Sequence, residues 1–185
     1  MGLGQTLLTI MALMLMGRLI LTVNRTTLEA GSSKDIAEYR IAATSLGTSL
    51  LENAKDLAFD EATVDTFLTT TQSSSLTAAA SFGPDAGESS YTSFDDIDDY
   101  NGYVKIDTIP NSAIFYTTAR VEYLNVSPPS TVTVTTTKSW NKQITIYVTS
   151  PYMVDWTLMD NTTTPPTPRP DTLKFVSVYS YWYFR

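Results

Sequence analysis

LLTIMALMLM, Leu7 to Met16, followed after Gly17 and Arg18 by LILTV, Leu19 to Val23, is apolar on nearly every side when wound as a helix. Such a segment satisfies its backbone bonds internally and can lie in lipid or among other helices. No acid precedes Glu29. Further on, in IAEYRIAATSLGTSLLENAKDL, the pattern becomes one-sided: Ile36, Tyr39, Ala43, Leu46, Leu50, Ala54 and Leu57 recur three or four residues apart. Lys34, Glu38, Thr44, Thr48 and Glu52 fall between them, so this stripe predicts a helix face packed against a globular part. Read as one helix from Met1 to about Ala58, it would span about 85 Å against a bilayer core of about 30 Å. Something other than lipid must hold its second half.

Composition removes several functions. In 185 residues there is room for one modest domain beside an anchor. A net charge of -7, with no basic cluster, argues against a nucleic-acid surface, which gathers Lys and Arg on one face. There is no cysteine, hence no disulfide framework and no thiolate metal site. With no histidine either, the commonest general base and the commonest zinc ligand are both missing. No nucleophile elbow, phosphate loop or dinucleotide fingerprint is present. The expectation is a protein that is not an enzyme and binds no cofactor.

Arg18 divides the apolar run. The nearest acid on its own helix, Glu29, lies about 16 Å away along the axis, so the choice is a guanidinium snorkelling to water or one paired with another molecule. Gly17 predicts local loosening, because glycine lowers helix stability by roughly 1 kcal/mol relative to alanine. The run has neither the basic flank nor the cleavage site of a signal peptide, as though a leader had been removed ahead of Met1.

From 59 to 102 the composition is that of a connection, with Gly83, Pro84 and Gly87 in a loop. FDDIDDYNGY, Phe94 to Tyr103, holds four carboxylates before an Asn-Gly turn. Asp95, Asp96, Asp98 and Asp99 are candidate cation ligands, although their spacing does not fit an EF-hand loop. A solvated acidic turn leading into a strand is the plainer reading. From Tyr103 onward period two dominates: Ser112 to Val126, Thr131 to Thr137, Gln143 to Thr149 and Thr172 to Phe184 read as strands. Turns are predicted at Ile109-Pro110-Asn111, Ser127-Pro128-Pro129 and Ser150-Pro151, and Asn161 to Asp171, with four prolines, reads as an extended loop. The result is an antiparallel meander covered by the Ile36 to Leu57 stripe, an α+β fold. In the aromatic end, Tyr179 to Phe184, alternate rings must face away from the core, where a neighbouring chain could cover them. Asn24, Asn125 and Asn161 stand in glycosylation sequons.

This layout resembles bacterial type IV pilins and the pseudopilins of secretion systems. The likeness covers the whole chain in order: an apolar half-helix at 1–28, an amphipathic half at 29–58, a connecting αβ loop at 59–102 and an antiparallel sheet domain at 103–185. It implies a subunit held in the inner membrane, then polymerised with copies of itself into an extracellular, cell-surface filament. It also implies a prepilin peptidase, N-terminal methylation and pilus assembly machinery as partners. On this reading Gln5, Leu7, Leu8, Met11, Leu15, Gly17, Arg18 and Leu19 would lie in the filament core. Gln5 departs from the glutamate usual at the fifth position, and an amide can hydrogen-bond a neighbour's terminal amine without neutralising it. Arg18 is a second departure. The alternatives are a minor pilin or pseudopilin, and a monomeric membrane-anchored binding module.

Overall fold

The computed structural model describes residues 2–110, 112–127, 131–160, 162 and 167–182. Among these residues one helix, α1 (Leu3–Lys55), is followed by four 3-10 turns and five strands: β1 (Val104–Thr108), β2 (Ile114–Ser127), β3 (Thr131–Thr135), β4 (Asn141–Asp160) and β5 (Thr167–Ser180). The chain divides into two compact units, one ending at Tyr39 and one beginning at Arg40. In the first unit α1 runs through Gly17 without a break, so the expected loosening there is absent. A single glycine costs too little to interrupt a helix whose neighbours, Leu and Met, are good helix formers.

The second unit is the α+β domain. Its strands form one antiparallel sheet in the order β1-β2-β4-β5, with β3 paired to the far end of β2. Inward residues alternate along the strands: Phe115, Ala119, Val121 and Tyr123 on β2 face the same side as Ile144, Ile146 and Val148 on β4. The last turns of α1 cover that face through Ala43, Gly47, Leu50 and Ala54, spaced by four, three and four residues. Gly47 marks the closest approach, since a Cβ there would stand 2.4 Å from the Phe175 ring of β5. Two polar contacts fix the docking: the Tyr179 hydroxyl donates to the Leu51 carbonyl at 3.0 Å, and Arg40 pairs with Asp171 at 2.8 Å.

Proline placement departs from expectation twice. The turn predicted at Ser150-Pro151 is instead the interior of β4, where the register against β5 shifts between Thr149 and Val154. A bulge tolerates a residue without an N–H. The loop expected at 161–171 is strand from Thr167 onward, with Pro168 opposite Met159 and Pro170 opposite Val154. Among the described strands β5 is a sheet edge, and an edge strand can spare the donor that proline lacks. The Ser127-Pro128-Pro129 turn and Asn161 fall wholly or partly outside the described residues.

Candidate functional site

Two features stand out, one in each unit. In the first unit, the residues expected to assemble are all exposed on α1: Gln5, Leu7, Leu8, Met11, Leu15, Gly17, Arg18 and Leu19. Leu13, Met14 and Met16 are equally bare, so the apolar surface wraps the helix instead of forming a stripe. By length and composition this helix could cross a membrane. Glu29 is taken by Arg25 at 2.7 Å, one helical turn away. Arg18 has no ion pair among the described residues. Asn24 is exposed on this part of α1, and Asn125 is exposed near the end of β2.

In the second unit the acidic stretch proves to be structural interior. Asp96, Asp98 and Asp99 are buried, and only Asp95 is exposed, which corrects the reading of a solvated turn. The cause is a parallel bridge between Ala58 and Asp96: Ala58 N–H donates to the Asp95 carbonyl at 2.9 Å, and Ile97 N–H donates to the Ala58 carbonyl at 3.0 Å. This sews the stretch to the chain leaving α1. The 3-10 turn Asp98–Tyr100 follows, and Asn101 clamps it to the sheet by accepting from Val121 N–H at 3.1 Å and donating to the Phe82 carbonyl at 3.2 Å. Gly102, with φ at +78°, supplies the left-handed residue that the Asn-Gly turn requires.

The four carboxylates separate into two groups. Asp95 and Asp99 converge with Glu88, one oxygen from each lying within 4.8 Å of the others, a set that could hold a cation. Asp99 also accepts from the Asp95 and Asp96 N–H groups at 3.2 Å each, and burial pushes its carboxyl up to about 7. Asp96 and Asp98 instead face Lys142. Burial, and then the neighbouring Asp98, push Asp96 up to about 9. Asp98 is also raised, by burial, with Lys142 opposing the shift.

Lys142 is the centre of this cluster and is fully buried. Its Nζ donates to the Phe59 carbonyl at 2.7 Å, to Asp60 Oδ2 at 2.7 Å and to Asp98 Oδ1. The rings of Phe59, Phe82 and Tyr123 stand 4.7, 4.9 and 5.5 Å from the same nitrogen. Asp60 in turn caps the 3-10 turn Glu61–Thr63 and accepts from Ala62 N–H, from the Thr77 N–H and hydroxyl, and from the Tyr123 hydroxyl at 3.2 Å. Burial raises the Tyr123 phenol far above its ordinary value, so it remains a donor.

Neither Lys142 nor Asp60 was singled out by the sequence reading. A signal existed for the lysine: residues 142, 144, 146 and 148 share one face of β4, so an inward Ile, Ile, Val series begins with a charge. That is an anomaly a buried acid must answer. Asp60 carried no comparable signal, because only the folded path from α1 brings it there.

No protein-family model, curated protein or solved structure matches the chain.

Proposed function

We propose that this chain is a structural subunit of an extracellular type IV pilus-like filament, polymerising through its N-terminal apolar helix. The observation that carries the reading is the exposure of Leu, Ile and Met around the whole of α1 from Leu3 to Val23, continuous with a helix segment that has a sheet to cover. An apolar surface of that kind is stable only in lipid or among like helices, and at about 25 cal/mol per Å² its burial would dominate assembly. The inner membrane is then the place of the unassembled subunit, and other copies its final surroundings. The role is mechanical; no turnover and no cofactor enters it.

Deleting residues 1–28 is expected to abolish filaments and release a soluble domain, scored by electron microscopy of sheared surface material. Filaments that persist without those residues would end this reading. A wild-type chain that crosslinks only as a monomer in the membrane fraction would favour an anchored binding module.

A further inference from the structure

The Lys142 cluster has more chemistry than a structural ion pair needs. A primary amine and the carboxyl groups of Asp98 and Asp60 are held together, buried, among three aromatic rings, and Asp96 is joined to Asp98 by a side-chain hydrogen bond. Lys142 stands second in β4 and Asp98 opens a 3-10 turn in the αβ connection, 44 positions apart along the chain. Both backbones are fixed, by the β2–β4 pairing on one side and the Ala58 bridge with the Asn101 clamp on the other. Such fixed approach of two reacting groups is the main requirement for an intramolecular condensation.

We propose that Lys142 and Asp98 condense spontaneously after folding, joining Nζ to Cγ in an amide with loss of one water. The two acceptors around the amine are not equivalent. Asp60 Oδ2 stands 2.7 Å from the amine, within reach of its proton, while hydrogen bonds from Ala62, Thr77 and Tyr123 crowd the carboxylate and leave its carbon poorly placed to be attacked. Asp98 lacks such a shell; its partners are Lys142 and a side-chain hydrogen bond with Asp96.

The step balances within the cluster. Lys142 passes one ammonium proton to Asp60, while Asp96 gives its proton to the Asp98 carboxylate. The neutral amine then attacks Cγ, forming the C–N bond as the C=O π electrons move to oxygen. The second nitrogen proton returns to Asp96, and Asp60 protonates the departing hydroxyl. Water leaves, the carbonyl re-forms, and Asp60 and Asp96 end as they began. Asp96 is fitted for the donor role by position, since its side chain is hydrogen-bonded to that of Asp98. The amide removes the buried Lys142–Asp98 charge pair, and the hydrogen bonds from Ala62, Thr77 and Tyr123 remain to hold the Asp60 carboxylate. A chain with no cysteine would thereby acquire a covalent staple between its αβ connection and its sheet.

The test is intact mass spectrometry of the full-length chain, extracted in detergent and denatured, with a peptide map. The expected result is a mass lower by one water and a branched peptide joining residues 98 and 142. An unshifted mass overturns the proposal. So does a water deficit located elsewhere, such as a succinimide at another aspartate or a bond to Asp60. Lys142→Met is expected to show the full sequence mass, and a persisting deficit in it would also overturn the proposal. Asp98→Asn is expected to reach the same cross-linked mass as the wild type, by loss of ammonia. If either variant fails to fold, the wild-type peptide map still decides the question.

Discussion

At the scale of single residues, the decisive pairings join positions far apart in the chain. Asp60, Asp98 and Lys142 are separated by tens of residues, yet they share one nitrogen. Asp96, beside them, makes stability depend on pH. Its carboxyl titrates at 3.8 in an ordinary environment and at about 9 in the fold, so between those values the folded state holds a proton that the unfolded chain has lost. Its contribution is therefore complete below pH 3.8 and declines as pH rises through about 9. Asp99 adds a shorter window of the same sign, ending at about 7. The unfolding midpoint of the full chain in detergent should fall between pH 5 and pH 8 by an amount on the order of several degrees. Asp96→Asn should flatten that slope, and an equally steep slope in the variant would rule out this origin. Burial leads the shift, so the direction does not depend on the charge of Asp98.

At the scale of elements, the join between α1 and the sheet depends on a missing side chain. Phe175 occupies the space where a Cβ on Gly47 would stand, so helix and sheet approach more closely than any larger residue allows. Gly47→Leu would improve helix propensity by up to about 1 kcal/mol but overpack the contact at a cost of typically 1–3 kcal/mol. The expected net effect is destabilisation by up to about 2 kcal/mol, measurable by chemical denaturation of the sheet domain. Retained stability would show that the Phe175 ring moves aside freely. The apolar stripe itself was legible from spacing, as were the strands, because periods of 3.6 and 2 follow from local geometry. The exceptions were the prolines. Pro151 lies at a bulge and Pro168 and Pro170 lie on an edge, positions that depend on the neighbouring strand and leave no local mark.

For the whole molecule, the question is what covers the exposed half of α1. Arg18 is the sharpest probe, a guanidinium within an apolar surface and without an ion pair among the described residues. In a filament its partner would be an acid of a neighbouring subunit, and such a pair in a low-dielectric core is screened little by salt. Arg18→Leu should then reduce filament yield several-fold, or shift the salt concentration at which filaments dissociate, as scored by shearing and sedimentation. Filaments identical to the wild type would mean that Arg18 reaches water instead.

The sequence by itself determined the α+β class, the all-round apolar start of α1, its one-sided continuation and the antiparallel character of the sheet. Each of these rests on nearest-neighbour geometry and on the free energy of moving apolar surface out of water, both written residue by residue. Only the tertiary structure decided that the aspartates from 95 to 99 divide, one exposed and three buried, and that Lys142 answers two acids from distant turns. Burial and pairing of charge depend on where the chain returns to itself, and that return is fixed by backbone bridges such as Ala58 to Asp96.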